Sequence, residues 1–451
     1  MAMDPTTPSD AAPSDTAGPA RTAGRAWLVV ALLSLLMLAN FAAKIGVGLA
    51  GAPLKKDLGI GDAGFGVVQS SFFWLFAVGS VLGGWLGGKV SARWLLGGIA
   101  LLWAVSLSPM TGQIGFTGAV ACRVLLGFAE GPTLAIALQA AHSWFPAQRR
   151  ALPTAVVLLG AGAGPLVASP VLTAVIKNQS WHAGFGVLAV FGGAVALLWL
   201  LLGSEGPEDT GTDTAAPQPR PLPDTVPLRR LFATRTMAGA LALLFVAYAD
   251  AATKLSWLPL YFEKGLGYDT STTGVLVALP FLGASIALVT IGFASRALTR
   301  RGHGSRLTRG VMPSAVVLVG ALLTLVYPWL GRGPLFVTVL TLSTCCIGGG
   351  YAIVFAGLSD LVPARRRTAA FGIVVAVYSL GAVIAPAFVG ALVAAAHPAL
   401  AGYRSAFLII GAALVVGSTA GLLLIDPERD AARLATRSTP VQRTEPVVST
   451  P

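Results

Sequence analysis

Five charged residues stand inside long apolar runs of this sequence: Lys44, Arg123, Glu130, Asp250 and Lys254. Each costs about 2.5–3.5 kcal/mol at the centre of a membrane helix on insertion scales, so five of them need partners or a task. Arg123 and Glu130 bracket seven steps of the run "RVLLGFAEGP", which in an α-helix is about 700° of turn and about 10.5 Å of rise. They share a face two turns apart and cannot bond each other directly, so each needs a facing helix, water or a ligand. Asp250 and Lys254 have the i, i+4 spacing with the acid first, the favourable order for an intrahelical pair. Arginine grips a carboxylate through two parallel hydrogen bonds and lysine offers a point charge, so Arg123 and Lys44 could hold an anion between helices. The alternative for these bases is a static ion pair to Glu130 or Asp250 that only joins helices. The five charges sum to +1, which favours an anionic ligand over a cation. Glu130 is the residue able to carry a proton, because an anion loaded on its neighbouring base weakens that base's hold on the carboxylate. Anion and proton then bind cooperatively.

These residues are carried by elements that belong in a bilayer. Of 451 residues, 55% are hydrophobic and 11% charged, with mean hydropathy +0.76, well outside the soluble range. Twelve windows are long enough to cross a membrane as helices: residues 26–50, 64–88, 93–111, 115–143, 151–176, 182–203, 236–262, 271–295, 310–330, 334–358, 368–396 and 403–425. The expected fold is all-α, with a six-helix half over 25–204, a polar, Pro-rich loop over 205–235 and a second half over 236–425. Disordered tails are expected over 1–24 and 426–451. The net charge of +12 falls in short clusters between apolar runs, such as Arg149–Arg150, Arg300–Arg301 and Arg365–Arg367, rather than on one basic face. That pattern excludes a nucleic-acid partner and puts both termini in the cytoplasm by the positive-inside rule.

The halves look related. "WFPAQRRALPTAVVLLGAGAGPLVASP" after the fourth window aligns with "LVPARRRTAAFGIVVAVYSLGAVIAP" after the tenth, matching Pro146 to Pro363 and Gly164 to Gly381. An even number of spans separates the copies, so the duplication is parallel. Cys122, Cys345 and Cys346 lie in apolar runs without disulfide or metal spacing, and the four histidines are scattered, so no metal or cofactor is expected. No nucleophile and base, metal cluster or phosphate loop points to an enzyme. Short tails of low complexity disfavour a sensor. Among the aromatic residues of spans that would border a central cavity, Phe73, Trp74, Tyr248, Trp257, Tyr351 and Tyr378, the best candidates for a site are Tyr248 and Trp257, which flank the charged stretch of the seventh span.

Two six-helix halves, a long central loop and basic short loops resemble the major facilitator superfamily, whose loop pattern after the second helix survives in degraded form as "GWLGGKVSAR", Gly84 to Arg93. Within it, "CRVLLGFAEGPTLAIALQAAHSWFPAQRRA" resembles the anion:cation symporter family, as do "WLPLYF", Trp257 to Phe262, and "LPFLGASIALVTIGFASRAL", Leu279 to Leu298. The resemblance implies a secondary transporter for a small organic anion, coupled to protons and working by alternating access as a monomer in the cytoplasmic membrane. It implies anion binding by Arg123 and Lys44, with Asn40, Tyr248, Lys254, Trp257 and Ser379 around them, and proton coupling by Glu130 with Asp250 in reserve. The departures bear on the substrate. "NFAAK", Asn40 to Lys44, has Ala43 where family members carry an acid, Phe76 stands for a tyrosine and Ser379 for an asparagine, which implies a pocket with fewer hydroxyl partners than a sugar-acid site.

One signal competes. "GAGAGPLVASP", Gly160 to Pro170, partly resembles the fifth-helix motif of drug/proton antiporters through Gly160, Gly164 and Pro165. It keeps export of a drug-like compound or secondary metabolite as the alternative to uptake, beside plain packing through small residues.

Overall fold

The computed structural model describes residues 19–146, 149–206, 227–363 and 366–436. Among the described residues twelve helices are long and apolar enough to cross a membrane: α1 Ala23–Leu49, α2 Asp62–Gly87, α3 Ala92–Thr111, α4 Phe116–His142, α5 Leu152–Asn178, α6 Trp181–Leu202, α7 Arg235–Gly265, α8 Thr270–Arg300, α9 Arg306–Trp329, α10 Pro334–Phe355, α11 Ala369–Ala395 and α12 Ala399–Leu424. Each matches one window of the sequence. Twelve crossings leave the start of α1 and the end of α12 on one side, here the inner end; the opposite side is the outer end. Large apolar residues such as Val105, Val190, Phe293, Val416 and Leu423 face outward, as expected where lipid rather than water is the surrounding solvent.

The duplication is visible in which helices touch. In the first half α1 packs on α5 and α6, α3 on α6, and α2 on α4; in the second, α7 packs on α11 and α12, α9 on α12, and α8 on α10. Every pair recurs six helices later. The matched glycines do the same work in both copies: a Cβ at Gly164 would lie 2.7 Å from the Leu38 carbonyl oxygen of α1, and one at Gly381 would lie 2.4 Å from that of Phe245 in α7. The halves meet along two seams, α2 on α11 and α5 on α8, with α1 against α7 between them.

The outer end is closed across those seams. A Cβ at Gly66 would sit 2.7 Å from the Pro386 carbonyl oxygen, one at Gly390 would sit 2.6 Å from that of Asp62, and one at Gly48 would sit 2.7 Å from that of Leu255. Lys177 Nζ donates to Ser271 Oγ over the α5–α8 seam at 2.9 Å.

Two expectations at the chain ends are corrected. The helix that leads into α1 begins at Pro19, inside the segment expected to be tail; residues 1–18 lie outside the described residues. The expected tail over 426–451 instead opens with a helix, α13 Pro427–Thr436; residues 437–451 lie outside the described residues. Its stability comes from ends that fit a helix dipole, with Glu428 and Asp430 in the first turn and Arg433 in the last. Asp426 Oδ1 accepts from the Arg429 amide at 3.1 Å. The helix is docked: Asp430 Oδ2 accepts from the Thr236 amide at 2.8 Å, Asp426 N donates to Thr236 Oγ1 at 2.9 Å, and Glu428 Oε1 accepts from the Ser305 amide at 2.6 Å. Residues 207–226 of the expected central loop are also outside the described residues; the rest of it contains a short helix, Leu228–Phe232.

Candidate functional site

Two breaks bring the first-half charges together. The α-helical part of α2 stops at Ser71 and resumes at Phe76, and that of α4 stops at Glu130 and resumes at Thr133. In α4 the cause is Pro132, which has no N–H for the helical ladder. The flanking glycines let α4 lie on the backbone of α2: a Cβ at Gly127 would be 1.6 Å from the Phe72 carbonyl oxygen, and one at Gly131 would be 2.2 Å from that of Phe76. The run "GFAEGP" therefore presses Glu130 into the first half at a helix break, beside the rings that line α2.

Around it stand residues of α1 and α2. Lys44 Nζ lies 3.1 Å from Glu130 Oε2 and donates to Asn40 Oδ1 at 2.9 Å. The same ammonium sits 4.1 Å from the Phe41 ring centroid and 5.9 Å from those of Phe72 and Phe76. Lys44 keeps a side-chain exposure of 12% while Glu130 has none. Arg123 takes a different partner: Nη2 donates to Gln69 Oε1 at 3.4 Å, and its guanidinium carbon lies 4.7 Å from the Phe72 ring. Arg123 and Glu130 thus have separate partners, as their seven-residue spacing requires.

Several of these groups are incompletely satisfied. Arg123 is 2% exposed, yet Nε and Nη1 have no hydrogen-bond partner among the described residues, and the same holds for Glu130 Oε1 and Asn40 Nδ2. A buried guanidinium with two idle donors is costly by itself and complementary to a bidentate anion. The second half contributes an aromatic wall. Tyr248 of α7 meets Phe73 of α2 edge to face with centroids 5.8 Å apart, and it contacts Tyr378 and Tyr351 at 4.7 and 6.2 Å. Ser379, beside Tyr378 in sequence, is buried with its hydroxyl unpartnered among the described residues.

Two residues expected around the anion, Lys254 and Trp257, and the reserve acid Asp250 have their partners elsewhere. Lys254 is 1% exposed and pairs with Asp250 Oδ2 at 2.8 Å, then donates to Ser343 Oγ of α10 at 3.3 Å, which in turn contacts Thr324 Oγ1 of α9 at 2.7 Å. These partners of Asp250 and Lys254 all belong to the second half, so the pair faces α9 and α10 instead of joining Lys44 and Arg123. Trp257 is fully buried in the closed outer end, donating from Nε1 to the Pro386 carbonyl at 3.0 Å and packing on Phe65 and Tyr403. The competing glycines are occupied in packing: a Cβ at Gly160 would lie 2.1 Å from the Ser34 carbonyl oxygen of α1. In the degraded loop motif, Arg93 donates from Nε to the Leu200 carbonyl at 2.9 Å, and the Glu205 carboxylate accepts from the Ala92 amide at the start of α3.

Sequence reasoning missed Gln69. Its signal was available in "VVQSSFFW", where Gln69, Ser70 and Ser71 put three polar residues in the middle of an apolar run. All three are buried.

Comparison with known proteins agrees with this architecture. The family model described as Major Facilitator Superfamily matches residues 30–357 and 305–449. A probable L-galactonate transporter of Escherichia coli (strain K12) is 25% identical over 414 residues, covering 88% of this chain and 90% of the relative. A hexuronate transporter of Bacillus subtilis (strain 168) is 24% identical over 413 residues, covering 88% and 94%. Among solved structures, a bacterial homologue of the human lysosomal transporter Spinster, inward-facing and unoccupied, superposes with a TM-score of 0.72 at 15% identity, covering 92% of this chain and 98% of its own. The chain is therefore a multi-pass membrane protein and a transporter rather than an enzyme, and it belongs to the Major Facilitator Superfamily.

Proposed function

We propose that this transporter carries a small organic anion, a carboxylate, by rocking its two halves about the Lys44–Arg123–Glu130 site, with protons as the coupling ion and both termini in the cytoplasm. The observation that carries the reading is Arg123, a buried guanidinium whose Nε and Nη1 have no partner among the described residues. A carboxylate completes it. Relatives named as L-galactonate and hexuronate transporters support the same chemical class. Lys44 supplies the second positive charge, Asn40 orients it, and Tyr248 and Ser379 close the site from the opposite half. Phe41, Phe72 and Phe76 around the bases make the walls more apolar than a polyol requires, which favours a carboxylate with an aromatic or apolar body.

Glu130 is the proton carrier. Its nearest cation is Lys44, and an anion that draws this ammonium away leaves a buried carboxylate without a counter-ion, which then takes a proton. Binding of the anion and the proton is thereby linked, as symport requires. Asp250 already has Lys254 and is held as a structural pair. The test is uptake into proteoliposomes of a carboxylate panel including glucuronate and benzoate, with and without an imposed pH gradient. Accumulation driven by an inward proton gradient supports the reading. Gradient-independent uptake overturns the coupling, uptake opposed by the gradient replaces import with export, and no uptake of any carboxylate overturns the substrate class.

A further inference from the structure

Gln69 lies about two turns in from the outer end of α2 and is 1% exposed. Its amide is used on both sides. Oε1 accepts from Arg123 Nη2 of α4 at 3.4 Å, and Nε2 donates to the Ser256 carbonyl of α7 at 3.1 Å. Only this orientation works, because a flipped amide would set its NH2 against a guanidinium and its oxygen against a carbonyl. The Ser256 carbonyl belongs to the other half, and the next residue, Trp257, donates to the Pro386 carbonyl of α11 within the same closed outer end.

We propose that Gln69 is a positioning residue that ties the anion-gripping Arg123 to the outer seal between the halves. The proposal rests on the reading of Arg123 as the anion grip. While the outer end is closed, the Ser256 carbonyl fixes the amide, and the amide fixes one arm of the guanidinium, leaving Nε and Nη1 aimed for a ligand. When the halves part at the outer end, the Ser256 carbonyl leaves with α7 and the amide is free to turn. Arg123 then loses its fixed orientation. A ligand that needs an oriented guanidinium therefore has a different affinity in the two states, which is the condition for a ligand to shift an equilibrium between them. Glutamine suits the position: glutamate would hold Arg123 but repel the carbonyl, and methionine would fill the space and make neither bond.

The test reads the seal directly and uses no substrate. In a full-length background with Cys122, Cys345 and Cys346 replaced by serine, Ser256→Cys places a thiol at the seal while keeping the backbone carbonyl. Its rate of alkylation by N-ethylmaleimide is measured in detergent for the parent, Gln69→Met, Arg123→Met and the double variant. Each single variant is expected to accelerate labelling at least threefold, with the double variant no faster than the faster single one, as for two residues acting through one contact. Gln69→Glu is expected to accelerate labelling like Gln69→Met and takes its place if the methionine variant fails to fold. An unchanged rate in either single variant, or a double variant showing the product of the two effects, overturns the proposal. Failure of the organic-anion reading shows separately, in the uptake panel, without affecting these rates.

Discussion

Removing Arg123 should have opposite effects on binding and on stability. Nε and Nη1 are the two donors without a partner among the described residues, and a carboxylate accepts both. Charge-assisted hydrogen bonds contribute about 1.5–3 kcal/mol each, so Arg123→Met should weaken anion binding by about 3–6 kcal/mol, or roughly 10²–10⁴-fold at about 1.4 kcal/mol per decade. Lys44 stays in place and accounts for the residual affinity. Arg123→Lys keeps the charge without the planar fork and should lose about tenfold. In the ligand-free protein the same guanidinium is buried at 2% exposure with a single long bond to Gln69. An apolar side chain of similar length relieves that unpaired charge, so Arg123→Met should raise the melting temperature without ligand. The assay pairs calorimetric titration of the best carboxylate from the uptake panel with thermal unfolding in the same detergent. Affinity within twofold of the parent refutes the anion role. A lower melting temperature without ligand refutes the claim that Arg123 is under-satisfied.

Glu130→Gln should abolish proton-driven accumulation while sparing exchange of internal for external anion; persistence of the accumulation, or loss of exchange as well, counts against a dedicated proton carrier. Asp250→Asn leaves Lys254 buried without its counter-ion and should destabilise the protein by about 3–5 kcal/mol, with recovery in Asp250→Asn combined with Lys254→Met. Chemical unfolding in detergent measures both, and an unaffected single variant would show that Ser343 suffices for the lysine. The docking of α13 should depend on pH. Burial pushes the Asp430 carboxyl up, but hydrogen bonds from Arg429 and Thr236 outweigh it and hold the group below the ordinary range. A depressed carboxyl gives stability that is fully present above its unfolded value, about 3.9, and is lost as pH falls through the folded one. The protection factors over 427–436, each referred to the intrinsic exchange rate at its own pH, should therefore be high at neutral pH and fall in acid, and Asp430→Asn should remove the difference between the two conditions.

The spans were legible because the bilayer demands long, apolar, internally bonded helices, which leaves a signal in nearly every residue. The pairing of Asp250 with Lys254 was legible for a local reason, since i, i+4 geometry is fixed by the helix alone. The face that this pair occupies was not. Spacing along α7 says nothing about whether Lys254 turns toward Lys44 or toward Ser343, because that depends on how α7 rolls against α9 and α10. Trp257 failed in the same way: its place flanking the charged stretch suggested a site wall, while tertiary packing put it in the seal. Helix α13 was missed because ten residues rich in charge have the composition of a tail, and only their docking on Thr236 and Ser305 shows otherwise. Gln69 carries no charge, so a search for charges in oil passed over it.

The duplicated architecture gives one pair of lysines two destinies. Asn40 and Lys44 in α1, and Asp250 and Lys254 in α7, are each an oxygen acceptor four residues ahead of a lysine, separated by the same stretch of chain. The two bonds are nearly equal in length, 2.9 Å and 2.8 Å. They differ in what they leave over. A neutral amide orients the Lys44 ammonium and leaves its full charge to Glu130, 3.1 Å away on α4, whereas a carboxylate neutralises Lys254 within its own helix. The two copies of this helix thus differ by amide against acid one turn ahead of the lysine, and Asn40→Asp is expected to hold the Lys44 charge within α1 and weaken its pairing with Glu130.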